Sequence, residues 1–254
     1  MNVEVIRAAA LAGIPHGFLG RRGGVSHGLC AGLNVGLGAD DERAAVHENR
    51  RRAVAAVAPG AALVTVHQVH SPDAIYAASA WPDDARPHAD ALVTDRPGLA
   101  LGIVTADCTP VLLADRRAGV IAAAHAGWKG ALGGVIESTL ALMERHGAER
   151  ARVAAAIGPV IARKSYEVDD AFLRRFAEID PENERFFTPG REGHRQFDLE
   201  ACVLARLAEA GVTRAEALGL DTYSDPDRFF SYRRATHKGE PTYGRQLSLI
   251  ALPR

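Results

Sequence analysis

Two histidines and a cysteine at the ends of apolar segments are the residues best suited to hold a metal ion: His70, Cys108 and His125. A thiolate and two imidazoles are typical zinc ligands, and three protein ligands with an open fourth position are typical of a catalytic zinc centre. Such an ion lowers the pKa of a bound water to about 7. A free cysteine is often only a small buried hydrophobe, and no compact CxxC or HExxH motif is present. Ordinary core packing of the three residues is therefore the alternative.

Hairpin geometry brings two of these residues together. If the apolar runs on either side of a turn at residues 115–118 pair with each other, Cys108 lies directly opposite His125. Directly opposed strand residues point to the same face with Cβ atoms ~5 Å apart, so this thiol and imidazole could share one ion. The third ligand, His70, has to come from a neighbouring strand.

Several cations are candidates for binding an anion. Residues 21–26, Arg-Arg-Gly-Gly-Val-Ser, combine guanidinium groups with backbone amides freed by glycine. They lack the GxxxxGK(S/T) spacing of a nucleotide-binding loop, and an ordinary surface turn is the alternative. Arg50, Lys129, Arg233 and Arg234 are further cations. Aromatic residues directly before Arg233 could stack on a planar anionic ligand, although core packing is their usual role.

The segments that must position these residues alternate between strand and helix patterns. Short apolar runs predict strands at 63–69, 91–94, 99–106, 111–114, 120–124, 153–157 and 247–252. Amphipathic spacing predicts helices at about 40–57, 129–146, 169–178 and 198–210. Strands grouped in hairpins with helices between the groups favour a layered α+β fold. No internal repeat or low-complexity linker interrupts the pattern, so we predict one domain over residues 1–254.

The composition excludes several classes of protein. With 30 Lys and Arg against 31 Asp and Glu, the net charge of −1 provides no overall positive field toward nucleic acid or an acidic membrane. Three scattered cysteines form no disulfide framework, and the first residues lack the pattern of a secretory signal. The most apolar stretch, residues 99–128, is interrupted by charged residues and predicts buried strands rather than a membrane span. We therefore expect a cytoplasmic protein that binds neither nucleic acid nor membrane, and no protein partner can be inferred.

A series of short motifs covers nearly the whole chain: Arg-Arg-Gly-Gly-Val-Ser at 21–26, Leu-Asn-Val-Gly at 33–36, Gln-Val-His at 68–70, Thr-Ala-Asp-Cys-Thr-Pro-Val at 105–111, His-Ala-Gly-Trp-Lys-Gly at 125–130, Ile-Gly-Pro at 157–159, Tyr-Glu-Val at 166–168, Phe-Asp-Leu at 197–199 and Phe-Ser-Tyr-Arg-Arg at 230–234. In these motifs the chain resembles the YfiH-type family. Members of that family have been named polyphenol oxidase or laccase-domain proteins, peptidoglycan editing factor and purine nucleoside phosphorylase.

The resemblance implies a four-layer α/β/β/α sandwich with mixed sheets and a zinc site formed by the two histidines and the cysteine. It also implies phosphorolysis of adenosine, inosine and methylthioadenosine, together with adenosine deamination. On this basis we expect a zinc-dependent purine nucleoside phosphorylase that binds a nucleoside and phosphate. The expected catalytic and metal-binding residues are His70, Cys108 and His125. The expected substrate- or phosphate-binding residues are Arg21, Asn34, Arg50 and Arg233.

Some segments depart from the family pattern. Residues 160–165 lack the cysteines that often follow Gly-Pro, Asp221 stands where a cysteine is common, and Lys129 stands where arginine is common. The segment 237–245 is also longer than usual. The metal trio is unchanged, so these departures concern substrate preference.

Other functions fit parts of the same pattern. In a cysteine amidase that edits peptidoglycan precursors, Cys108 would be the nucleophile and His125 its base. A copper-dependent polyphenol oxidase would need many histidines around several ions, whereas one compact trio is visible. A binding module with a structural zinc would use the same ligands without turnover.

Overall fold

The computed structural model describes residues 2–253. The strands in this range are β1 (Val5–Ile6), β2 (His16–Leu19), β3 (Ala62–Val64), β4 (Ala74–Tyr76), β5 (Ala91–Thr94), β6 (Leu99–Thr105), β7 (Thr109–Asp115), β8 (Val120–Ala126), β9 (Ala154–Ile157), β10 (Glu167–Asp169), β11 (Phe187–Pro189), β12 (His194–Phe197), β13 (Arg214–Ala217) and β14 (Gln246–Ala251). The α-helices are α1 (Arg43–Val57), α2 (Trp128–Gly133), α3 (Val135–Arg145), α4 (Asp170–Ala177), α5 (Leu199–Glu209) and α6 (Tyr232–His237).

Two large sheets form the centre of the fold. The first is 5-stranded in the order β1-β2-β14-β6-β3, and the second is 6-stranded in the order β13-β9-β7-β8-β5-β4. Both mix parallel and antiparallel pairs, since β3 runs parallel to β6 and β13 runs parallel to β9. A small 3-stranded sheet, β10-β12-β11, accompanies α4.

Side-chain alternation along the strands explains the layers. On β7, Leu112 faces the other large sheet and packs in one apolar cluster with Leu101 of β6. Its neighbours Val111 and Leu113 face the opposite way and pack against helices α3 and α5. Helix α1 covers the outer face of the first sheet. Because both faces of each large sheet are covered, the central strands are continuous apolar runs, and the predicted four-layer α/β/β/α sandwich is confirmed.

Two predicted elements differ from the observed ones: one strand is shorter, and one helix is divided in two. The strand predicted at 63–69 stops at Val64 because the side chain of Gln68 replaces the backbone pairing with β6: it accepts from the N–H of Val104 at 2.9 Å and donates to its C=O at 2.7 Å. The helix predicted at 129–146 is two helices, because Gly134 between α2 and α3 has a φ of 96°.

The predicted register of the central hairpin is wrong. Pro110, and not Cys108, lies opposite His125. Cys108 lies directly before strand β7, which begins at Thr109. The cause is the turn: Asp115 pairs with Val120, so the four-residue loop is 116–119 and not 115–118, and the Asp115 carboxylate fixes this loop by accepting the backbone N–H groups of Arg117 and Ala118. Cys108 is two residues before Pro110 and still lies close to the imidazole of His125.

None of the helices within residues 2–253 combines the length and apolar composition that crossing a bilayer requires.

Candidate metal centre between two cavities

Three separate segments bring the predicted ligands together. His70 lies in the irregular segment after β3, Cys108 directly before β7, and His125 in β8. One ligand atom from each residue lies within 4.8 Å of the other two, and Cys108 Sγ is 3.8 Å from His70 Nε2. His125 is buried, Cys108 is partly buried and His70 is exposed, so the site opens to solvent on the His70 side.

This donor set fits a single zinc ion. Bond lengths of about 2.3 Å to sulfur and 2.0–2.1 Å to nitrogen place the ligand atoms of tetrahedral zinc roughly 3.5 Å apart, close to the distance between Cys108 and His70. The space is kept clear by Gly127, because a Cβ there would lie 2.7 Å from His70 Cδ2 and 3.0 Å from Cys108 Sγ. Two nitrogens and one sulfur leave a fourth position for water or substrate.

Asp90, which the sequence analysis missed, contacts His125 and both neighbours of His70 in the chain. Its Oδ1 lies 2.7 Å from His125 Nδ1. Its Oδ2 accepts the backbone N–H groups of Val69 at 3.1 Å and Ser71 at 2.7 Å, the residues on either side of His70. Burial alone would raise the pKa of Asp90, but these hydrogen bonds lower it. The carboxylate therefore accepts the proton on Nδ1 of His125 and leaves Nε2 free to bind a metal.

Two backbone conformations beside the site are unusual. Among residues 2–253, the non-glycine residues with positive φ are His70 at 61° and Asp107 at 90°. Such conformations cost about 1–3 kcal/mol and persist where surrounding contacts fix them. Asp90 fixes His70 through its neighbours, and the Asp107 carboxylate accepts from the Thr222 hydroxyl and from the backbone N–H of Arg233, each at 2.7 Å. One strained residue is itself a predicted ligand, and the other precedes Cys108.

The thiol and the buried imidazole shift each other's protonation. Burial alone would raise the pKa of Cys108, but the charged imidazole of His125 and hydrogen bonds from both histidines lower it to about 7. Burial alone would lower the pKa of His125, but the Cys108 thiolate and Asp90 raise it to about 9. Without a metal, the two residues thus favour a thiolate–imidazolium pair, with about half of Cys108 ionised at a pH of about 7.

Within the part of the chain that the structure describes, two cavities meet at His70, Ala106 and Cys108. The first, here called the basic cavity, has a volume of about 470 Å³, and its walls include Arg43, Arg50, Arg86 and Arg245. The second, called the aromatic cavity, has a volume of about 530 Å³, and its walls include Trp128, Tyr166, Phe172 and Tyr232. The candidate metal centre therefore stands between a cationic and an aromatic compartment.

The other predicted binding residues divide into two groups. Arg50 lines the basic cavity, where it also pairs with Asp83 at 2.9 Å. Arg233 lines the aromatic cavity, with its guanidinium 5.1 Å from the centre of the Tyr166 ring.

Arg21 and Asn34 line neither cavity. Arg21 donates to the carbonyls of Ala31 and Pro226, and Asn34 donates to Asp41 at 2.7 Å. Both side chains hold loops together, and any contact of either residue with substrate stays a prediction.

Comparisons of the sequence and the fold with those of known proteins identify several similar proteins. A family model described as "Multi-copper polyphenol oxidoreductase laccase" matches residues 15–253. A Deinococcus radiodurans protein named purine nucleoside phosphorylase is 40% identical over 100% of this chain and 94% of its own length. A Streptomyces griseus protein, purine nucleoside phosphorylase ORF3, is 39% identical over 90% of this chain and 92% of its own. The crystal structure of the Bacillus licheniformis hypothetical protein YfiH is 28% identical, with a TM-score of 0.89 over 99% of this chain and 97% of that one.

Proposed function

The chain belongs to the laccase-domain family that includes the YfiH-type proteins, and on this premise we propose that it is a zinc-dependent purine nucleoside phosphorylase. The observation that carries the proposal is the convergence of His70, Cys108 and His125 at the junction of two cavities. Relatives that match nearly the whole chain bear the name of this activity.

Phosphorolysis requires that phosphate and a nucleoside be held next to each other in one site. An oxygen of inorganic phosphate forms a bond to the anomeric carbon of the ribose, while the bond from that carbon to the purine nitrogen breaks. The electron pair leaves with the purine, which takes up a proton, and ribose 1-phosphate is the other product. When bound, zinc supplies a Lewis acid and lowers the pKa of a water molecule.

The chain's own residues hold the site in place for this reaction. Asp90 fixes the tautomer and orientation of His125, and through Val69 and Ser71 it fixes the segment that carries His70. The exposed ring of His70 faces both cavities and can contact the ribose between them. Catalysis then rests on orientation of the reactants at the junction.

We also propose adenosine deamination as a second reaction of the site. A water oxygen forms a bond to C6 of adenine, the bond from C6 to the amino nitrogen breaks, and ammonia leaves. The support is the trio of His70, Cys108 and His125, which would hold a zinc ion through three ligands, and such an ion would supply the activation of a water near neutral pH. The cytoplasm is the proposed location, in keeping with three unpaired cysteines.

A thiol hydrolase such as a peptidoglycan amidase is the second candidate. It is favoured by one observation, the thiolate–imidazolium pair of Cys108 and His125. Chelation separates the candidates: removal of zinc abolishes a zinc enzyme and leaves a thiol enzyme active. The donor geometry favours a single ion over a multicopper centre, because one group of three or more potential ligands converges within residues 2–253.

The decisive experiment measures the products from inosine. Purified protein with inosine and inorganic phosphate should release hypoxanthine and ribose 1-phosphate, and omission of phosphate should stop the release. Cys108→Ala should abolish it, whereas Cys30→Ala, which changes a buried cysteine outside both cavities, should not. Full activity of Cys108→Ala would show that the site is assigned wrongly.

A further inference from the structure

Three of the four arginines in the basic cavity have no carboxylate partner within residues 2–253. Its wall contains four arginines together with His67, and no Asp or Glu among the described residues lines it. Arg50 is paired with Asp83, but Arg43, Arg86 and Arg245 form no ion pair within residues 2–253. Unpaired guanidinium groups in a concave surface concentrate positive potential and attract anions.

Two of these arginines are held in place by neutral groups. Arg86 donates from Nε to the Asp83 carbonyl at 2.8 Å. Arg245 donates to the Tyr243 hydroxyl at 3.0 Å, and its guanidinium lies 4.5 Å from the centre of that ring. These contacts orient the guanidinium groups and leave their charge available. A preorganised cationic site loses little side-chain freedom when an anion binds.

A buried hydroxyl in the same wall also lacks a partner. Thr105 is 2% exposed and lines the basic cavity, and its Oγ1 makes no hydrogen bond among the described residues. An unsatisfied buried hydroxyl is costly, so such groups usually have a ligand or water as partner. This observation is independent of the charges and indicates a polar ligand at the same place.

We propose that inorganic phosphate binds in the basic cavity through Arg43, Arg86 and Arg245, and that the purine occupies the aromatic cavity. This inference rests on the proposed function. The balance of charge decides between the cavities. In the aromatic cavity Lys129, Arg175 and Arg233 share the wall with an equal number of carboxylates, Asp107, Glu167 and Asp169, whereas the arginines of the basic cavity share theirs with none among the described residues, so a phosphate dianion is favoured there.

The junction fits the stereochemistry of the reaction. The segment before His70, residues 66–68, lines the basic cavity, whereas Val69 and Asp107 line the aromatic cavity. In a displacement, the phosphate attacks the anomeric carbon from the side opposite the leaving purine. A ribose at the junction would have the attacking phosphate on its basic-cavity side and the leaving purine on its aromatic-cavity side.

Two arginine variants and one matched control test the assignment. Arg43→Gln removes an exposed side chain at the start of α1, and the double variant R43Q/R86Q removes two of the proposed contacts. Arg51→Gln changes another exposed arginine of α1, which pairs with Glu48 away from the cavity. Inorganic phosphate is titrated into each metal-loaded protein by calorimetry, and KM is measured for phosphate and for inosine.

We expect R43Q to weaken phosphate binding and raise the KM for phosphate by about tenfold, the effect of losing one charge-assisted hydrogen bond. The double variant should lose more, the KM for inosine should stay unchanged, and R51Q should match the wild type. Tyr232→Ala, in the aromatic cavity, should raise the KM for inosine alone. The proposal is overturned if R43Q and the double variant bind phosphate as tightly as the wild type. It is also overturned if a chelator abolishes phosphate binding but the arginine substitutions do not.

Failure of the proposed function gives a different result. If the wild type binds phosphate, R43Q weakens that binding and no nucleoside is cleaved, the phosphate subsite stands and phosphorolysis is wrong. If inosine is cleaved with phosphate and the KM for phosphate is the same in both arginine variants, phosphorolysis stands and the subsite is wrong.

Discussion

Asp90 is the residue through which two of the three predicted ligands are coupled. Replacement by Asn keeps the shape but removes the charge and presents an amide to His125 Nδ1 or to the backbone N–H groups beside His70. We expect zinc affinity to fall about 10- to 100-fold, as for other outer contacts of metal-binding histidines. The measurement is competition with a chromophoric chelator.

Asp115→Asn is the matched control for that experiment. Asp115 is also a fully buried carboxylate of the same sheet, but it holds the turn at the other end of β7. The control should lower the melting temperature and leave zinc affinity unchanged. Equal zinc affinities in the two variants would contradict the role assigned to Asp90.

The protonation of Cys108 gives a second prediction at the residue scale. The thiolate is the form that iodoacetamide alkylates, and the lowered pKa of Cys108 puts half of it in this form at a pH of about 7 in the metal-free protein. Alkylation should therefore be half-maximal near that pH, and His125→Asn should move the midpoint upward because the neighbouring charge is lost. Peptide mapping gives the rates for each cysteine.

The other cysteines serve as internal controls. Burial raises the pKa of Cys30, and it raises that of Cys202 to about 12. Both should react slowly over the same range. Reaction of Cys108 at the rate of Cys202 at pH 7.5 would refute the thiolate–imidazolium pair.

At the scale of elements, the approach of α2 to the metal centre depends on Gly127. A methyl group there would overlap His70 and press on Cys108, although the φ of −70° is allowed for any residue. We expect Gly127→Ala to lower zinc affinity at least about tenfold by displacing a ligand. The far-UV circular dichroism spectrum should not change.

Gly133→Ala, at the other end of α2, provides the comparison, since a Cβ there would make only ordinary contacts with Pro72. It should bind zinc as the wild type does. If Gly127→Ala binds zinc with unchanged affinity, the close packing around the trio does not matter for the site.

The sequence predicted the elements better than their relative placement. Apolar runs located β5 without error, because period and burial are local properties of the chain. The register of the central hairpin depended on a side chain, the carboxylate of Asp115, that fixes the turn through two backbone N–H groups. Turn chemistry of this kind shifts a register without changing the hydrophobic pattern.

The candidate site was accessible to sequence analysis only in part. Residue types and motifs identified the trio, but the contacts of Asp90 depend on tertiary structure, and its only local signal is a carboxylate at the start of an apolar strand. The division of the arginines between two cavities also needs coordinates. Arg43, Arg86 and Arg245 lie far apart along the chain and have no motif in common.

For the whole molecule, the two covered sheets form a support that holds loops from distant segments in one place. Their inner faces share an apolar cluster with residues of both sheets, including Leu101 and Leu112. Such close-packed interiors deform little, so the segments that carry His70, Cys108 and His125 keep their spacing. The organisation as one domain over residues 1–254 stays a prediction.

The most direct test of zinc-dependent phosphorolysis is a zinc titration of the metal-free protein, followed by the rate of hypoxanthine release from inosine and phosphate. We predict no activity without metal and a linear rise in rate that ends at about one zinc per chain, as a single three-ligand centre requires. Full phosphorolysis by the metal-free protein would contradict it.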